Sequence, residues 1–185
     1  MFYQRMHSSA SQTSRLFLAV LPDADTSAEI YRKATIIKRA HQFGGELTAP
    51  DHLHVTLFSF SGLPQPLIAT ACEAVAEIKA EPFDVSFDRT VSFRGRVGSR
   101  PFVLAGESGL RRLKSFRRSL ASAIMRKGLR LMAHRDFTPH VTLLFDDRAV
   151  EENPFGPIGW TVRDIVLIRS LRGHTHLARW RLLQV

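Results

Sequence analysis

The sequence predicts an α+β fold built from two similar lobes, each a sheet with helices on one face, and three observations predict it. His54-Val55-Thr56-Leu57 recurs letter for letter at His140-Val141-Thr142-Leu143, 86 residues later. The same spacing lays Leu18-Ala19 on Leu104-Ala105, and a helical stretch on a helical stretch, so the chain reads as internally duplicated about an approximate twofold. Strand and helix patterns alternate without the glycine-rich turns of a doubly wound sheet, which favours α+β. At 185 residues the chain suits one domain with a sizeable core, residues 15–185, preceded by a polar, flexible tail over residues 1–14.

The elements follow in order. Arg15 to Leu21 is an apolar run of strand length stopped by Pro22-Asp23. A helix is expected from Thr26 to Gln42, with Thr26 and Glu29 as a capping box and Ile30, Ala34 and Ile37 at helical spacing. Gly44-Gly45 is expected to end it. His52 to Phe60 reads as a strand. Pro66 then opens a helix to about Lys79, with Leu67, Ala71, Val75 and Ile78 as its stripe. Phe83, Val85 and Phe87 alternate as in a strand, which Val91 and Phe93 resume after a break. The first half thus reads β-α-β-α-β. In the second half, Pro101 to Ala105 is a strand, and Ser108 is expected to cap a helix ended by Gly128. Phe137 to Phe145 and Trp160 to Ile168 are further strands, and Leu177 to Leu183 closes a sheet edge. Asp146 to Gly159, with two prolines, two glycines and four acids, reads as a loop.

Composition narrows the function classes. Lys+Arg outnumber Asp+Glu 26 to 17, a net charge of +9, which suits a polyanionic partner such as RNA or a nucleotide phosphate. One cysteine, Cys72, excludes an intrachain disulfide and a cysteine-based zinc site. No run approaches the 18 or more apolar residues of a membrane span, and no secretory signal is recognisable. A cytoplasmic monomer without membrane contact is the expectation.

The chemistry lies in the repeated tetrapeptide. Residues two apart on a strand share a face, so His54 projects with Thr56 and His140 with Thr142, while the valines and leucines turn to the helices. If the lobes face each other, both pairs line one cleft. Two imidazoles suit attack on a phosphodiester: one accepts the nucleophile's proton and the other donates to the leaving oxygen. The threonine hydroxyls can hold the non-bridging oxygens, and no metal or cofactor is needed. A packing explanation accounts for the repeated Val and Leu. It leaves the repeated His and Thr on the other face unexplained.

These residues carry a family resemblance. From Arg15-Leu16-Phe17-Leu18-Ala19 to Arg179-Trp180-Arg181-Leu182, the chain resembles the bacterial 2′-5′ RNA ligase, or RNA 2′,3′-cyclic phosphodiesterase, family of two-histidine phosphoesterases. The most specific parts are Asp51-His52-Leu53-His54-Val55-Thr56-Leu57 and Thr138-Pro139-His140-Val141-Thr142-Leu143. The resemblance implies two antiparallel sheets facing a central cleft, with helices on their outer faces. It also implies hydrolysis of RNA 2′,3′-cyclic phosphate ends to the 2′-phosphate, reversible 2′-5′ joining of RNA ends, His54 as general acid and His140 as base. The chain departs from the family where an arginine commonly follows the second motif: here stands Leu144-Phe145, and Arg148 is a candidate substitute. After the first motif, Phe58-Ser59-Phe60-Ser61-Gly62 replaces the family's Phe-Leu-Gly turn.

Other features offer alternatives. Arg94 and Arg96, beside Gly95 and Gly98, are candidate phosphate contacts. Ser108 to Arg135 holds nine basic residues and no acid, a solvated helix face or a track for RNA backbone. The His52/His54 and His174/His176 pairs are metal-like in spacing but lack an acidic or cysteine companion, so no metal site is assigned. Cys72, Trp160 and Trp180 read as packing residues. Two other functions fit less of the sequence: a phosphodiesterase for small cyclic nucleotides or ADP-ribose cyclic phosphate, and a noncatalytic, basic RNA-binding module.

Overall fold

The computed structural model describes residues 15–183 apart from 61, 97–98, 130–136 and 172. The expected tail over 1–14, Gly98, and Arg130 and Arg135 of the basic run lie outside the described residues. The strands are β1 (Arg15–Val20), β2 (Val55–Ser59), β3 (Phe83–Ser92), β4 (Arg100–Ala105), β5 (His140–Asp146), β6 (Asn153–Val162), β7 (Asp164–Ser170) and β8 (His174–Arg181). The helices are α1 (Ala24–Ala40), α2 (Gln65–Ala76) and α3 (Arg111–Arg126). The strands form two four-stranded sheets, ordered β2-β1-β7-β8 and β5-β4-β3-β6, and every pairing is antiparallel. The α+β class therefore holds. No helix among the described residues is long and apolar enough to cross a membrane.

Sheet membership corrects the half-by-half reading. Strand β3 leaves the first half to pair with β4, while β7 returns to pair with β1 and carries β8 on its far edge. Adjacency in sequence suggested otherwise, but partners are set by matching backbone rows and apolar faces, which a local pattern does not carry. The stretch from Asp146 to Gly159 is likewise not all loop, since β6 begins at Asn153. Its prolines sit on an edge strand, where a missing N–H costs little. The expected strand from Trp160 to Ile168 is two strands, broken at Arg163. The expected break in β3 is absent, because β3 runs unbroken to Ser92.

The duplication has a register. Ala19 stands opposite Thr56 and Val103 opposite Thr142; beyond a slip in each ladder, Leu18 faces Phe58 and Phe102 faces Leu144. The first strands are thus equivalent as Ala19 with Val103, not as Ala19 with Ala105. The connection through α3 absorbs the two-residue difference. An irregularity of this kind bends the strand and re-aims the residues beyond it.

Helix ends differ from expectation for local reasons. Asp23, not Thr26, caps α1: its Oδ1 accepts the Thr26 N–H at 2.8 Å, and this bond holds the carboxyl below the usual range. Glu29 pairs instead with Lys33 at 3.0 Å, an exposed ion pair worth about 0–1 kcal/mol. Gln42, at φ +54°, turns the chain out of the helix before Gly44-Gly45 is reached. α3 has no side-chain cap, and Ser108 opens a short 3-10 turn ahead of it. Gly128, at φ +84°, follows its end as expected.

Leu18, Val20, Val55 and Leu57 of one sheet and Val85, Phe87, Leu104, Val141 and Leu143 of the other join Ile30, Ala71, Leu113 and Ile124 of the helices in one apolar cluster. Each of these side chains larger than alanine contributes about 1.5–3 kcal/mol on burial, which outweighs any surface ion pair. Trp160 stacks on Phe87 at 5.2 Å within this core, and Trp180 and Cys72 pack against it. The helices also reach across. Lys33 of α1 lies over the Phe155 ring of β6, and Arg117 of α3 donates to the Leu57 carbonyl of β2 at 2.9 Å. Phe17, Ala19, Val166 and Ile168 form a second, smaller cluster on the other face of the first sheet.

Candidate active site

Both motif histidines stand where a strand begins, and both are tethered in the same way. The Nδ1 of His54 lies 2.8 Å from the His52 carbonyl oxygen, and that of His140 lies 2.8 Å from the Thr138 carbonyl oxygen. A carbonyl can only accept, so each Nδ1 carries the proton and donates it. Each Nε2 is left to accept or deliver a proton. The strand expected from His52 does not begin there: Pro50–His52 is a 3-10 turn, and the His52 carbonyl at its end accepts from the His54 Nδ1. The strand expected from Phe137 likewise starts at His140.

Phe17 of the smaller apolar cluster lines a cleft of about 660 Å³ whose other walls include Arg15, His54, Thr56, Thr142 and His174. Of the residues expected from sequence, His54, Thr56 and Thr142 meet in this cleft. His140 lies two residues before Thr142, its ring edge-on to Phe93 at 5.0 Å. Val55, Leu57, Val141 and Leu143 are buried in the core, as the alternation requires.

The candidate arginines are placed apart from the cleft wall. Arg94 is exposed directly after Phe93, and Arg96 is exposed, its carbonyl accepting the Ser99 N–H at 3.0 Å. Arg148 donates to the His41 carbonyl at 3.4 Å, and its N–H donates to Asp146. None of the three lines the cleft; Arg15 does.

Phe17 and His174 enclose His54. Its ring stacks on Phe17 at 4.8 Å and meets His174 edge-on at 5.1 Å. Burial lowers the His54 pKa; the hydrogen bond to His52 opposes this, and the charges of His140 and His52 lower it further. His174 is pushed down to about 4 by burial and by the neighbouring His54 and His52, and its buried Nδ1 has no hydrogen-bond partner among the described residues. His52 and His174 lie 4.4 Å apart, ring to ring. Among the described residues, no three His, Cys, Asp or Glu side chains are arranged to hold a metal ion.

His174 makes stability depend on pH. The unfolded chain takes up a proton near pH 6.5 and the folded chain only near 4, so protonation favours unfolding in that window. The stability is intact above 6.5 and falls as pH drops towards 4. His174→Phe is expected to flatten this part of a urea-midpoint profile, and an unchanged slope would reject the assignment.

Arg15, Phe17 and His174 were missed as site residues. The one local signal for Phe17 is its two-residue spacing from Ala19 within an unbroken apolar run, which puts both on the face of β1 opposite Leu18 and Val20. Nothing local put β8 within reach of β2.

Residues 22–174 match the model of the 2′-5′ RNA ligase superfamily. An RNA 2′,3′-cyclic phosphodiesterase of Archaeoglobus fulgidus is 27% identical over 140 residues, 76% of this chain and 75% of that protein. The crystal structure of E. coli LigT complexed with 3′-AMP is 27% identical, covers 92% of this chain and 99% of its own, and superposes with a TM-score of 0.72. The Thermus thermophilus protein TT0787, at 23% identity, shares the fold with a TM-score of 0.66 over 91% of this chain and 97% of its own.

Proposed function

The chain belongs to the 2′-5′ RNA ligase superfamily, and from that membership we propose that it opens RNA 2′,3′-cyclic phosphate ends to 2′-phosphates and, with an RNA 5′-hydroxyl attacking in place of water, reversibly joins RNA ends 2′-5′. The observation carrying this reading is the pair of His-x-Thr strands with matching registers and matching Nδ1 tethers. Water attacks phosphorus opposite O3′. One Nε2 takes the water's proton, the P–O3′ bond breaks, and the other Nε2 protonates O3′. The P–O2′ bond survives, leaving the 2′-phosphomonoester. Thr56 and Thr142 donate to the non-bridging oxygens, where negative charge gathers in the transition state. Following the family pattern, His54 is the acid and His140 the base. No step in this scheme calls for a metal.

The lowered pKa of His54 shapes the pH profile. A bound phosphodiester anion favours the imidazolium beside it, so the pKa rises on binding. One apparent pKa of kcat/KM, which reports the free enzyme, is expected below 6.5, and its counterpart in kcat is expected higher. Coincident profiles would count against His54 as a group that meets the phosphate.

The decisive assay incubates the protein in EDTA with a short RNA ending in a 2′,3′-cyclic phosphate, beside the His54→Ala/His140→Ala double variant. A 2′-phosphate formed by the wild type alone supports the reaction, the site and metal independence together. Turnover by the folded double variant would end the proposal. RNA retained equally by both proteins without opening would indicate a binding module, and opening of mononucleotide cyclic phosphates alone a smaller substrate.

A further inference from the structure

Phe145 is 51% exposed, although Leu143 and Leu144 before it are buried to 1%. It lines the cleft that holds His54, Thr56 and Thr142. A second segment fixes its surroundings. Leu47 bridges antiparallel to Leu144, the Thr48 N–H donates to the Leu143 carbonyl at 2.7 Å, and the Gly45 N–H donates to the Asp146 carboxylate at 2.8 Å. This register sets Glu46 opposite Phe145, and both residues belong to the cleft lining. Gly45 allows the approach, because a Cβ there would overlap the Phe145 carbonyl.

An exposed ring beside a carboxylate is a poor phosphate site, since the carboxylate repels the anion. It is a suitable site for the other end of a nucleotide. Every base offers a π-face to an aromatic platform, and a carboxylate accepts hydrogen bonds from a base amino group. Phe145 lies three residues along β5 from Thr142, roughly 10 Å of strand. That separates a phosphate held by the threonines from the base of the same nucleotide.

We propose that Phe145 and Glu46 form a nucleobase subsite, with the ring stacking on the terminal base and the carboxylate accepting from its amino edge. Adenine, cytosine and guanine ends are favoured over uracil, whose N3–H is flanked by carbonyl oxygens that Glu46 repels. The subsite rests on the proposed reaction for its role but not for its test.

Calorimetry would compare adenosine 2′-phosphate, uridine 2′-phosphate and base-free ribose 2-phosphate on wild type, Phe145→Ala, Phe145→Trp and Glu46→Gln, with KM measured on the matching cyclic esters. Phe145→Ala is expected to weaken adenosine 2′-phosphate about tenfold or more and leave ribose 2-phosphate unchanged. Phe145→Trp retains binding, and Glu46→Gln brings adenosine and uridine together. Equal loss for ribose 2-phosphate and adenosine 2′-phosphate, or wild-type binding that ignores the base, would overturn the subsite. Base-dependent binding without opening of any cyclic ester would leave the subsite standing and remove the reaction instead.

Discussion

His54→Ala or His140→Ala is expected to slow the proposed opening of a 2′,3′-cyclic phosphate end by at least ~10²-fold, the low end of the range for general acid–base catalysis. Each ring holds its Nδ1 proton against a carbonyl two residues earlier, so each Nε2 is pre-aimed and alanine removes the proton carrier outright. The double variant is expected to lose little more than the worse single variant, because acid and base serve one transition state. Single-turnover rates at saturating RNA isolate the chemical step. His54 also stacks on Phe17, so a urea midpoint for each variant separates lost chemistry from lost fold. A folded single variant within threefold of wild type would remove that histidine from the mechanism.

Arg117→Ala destabilises the fold by about 3 kcal/mol, the combined scale of a charged hydrogen bond and a desolvated cation–π contact. Arg117 is 8% exposed, and its guanidinium donates to the Leu57 carbonyl at 2.9 Å and lies 4.6 Å from the Phe58 ring and 4.3 Å from the Phe137 ring. Among the described residues no carboxylate pairs with it. Burial lowers its pKa, yet arginine stays charged, so the two aromatic faces and the carbonyl replace its water. Alanine would leave a void between the rings and strip the Leu57 carbonyl of that donor, one residue from Thr56. Arg117→Met keeps the stem and is expected to lose less. Urea midpoints of the two variants decide: an unchanged midpoint for alanine would show that the contact is not stabilising.

Much of the site was legible because its spacing is local. Period-two alternation sends His54 with Thr56 and His140 with Thr142 to one face, and the buried Val55, Leu57, Val141 and Leu143 bear this out. The repeated tetrapeptide marked the two equivalent strands even though the partner strands are equivalent two residues away from the expected alignment. Element boundaries were less legible. Asp23 and Thr26 are both competent caps, and only the extended backbone at Asp23, which aims its carboxylate at the Thr26 N–H, selected Asp23. The prolines of β6 read as loop because a sequence does not say which strand is an edge.

By itself the sequence determined the α+β class, the duplication, and the chemical identity and facing of the two His-Thr pairs, since all of these follow from short-range periodicity. The tertiary structure alone decided what surrounds them. Pairing of β7 with β1 and β8 with β7 carries His174 from the chain's end to His54, and the bridge of Leu47 to Leu144 brings Glu46 beside Phe145. Such contacts depend on hydrogen-bond partners and shared apolar faces far apart in the chain, and side-chain period alone does not encode which strand a strand will meet.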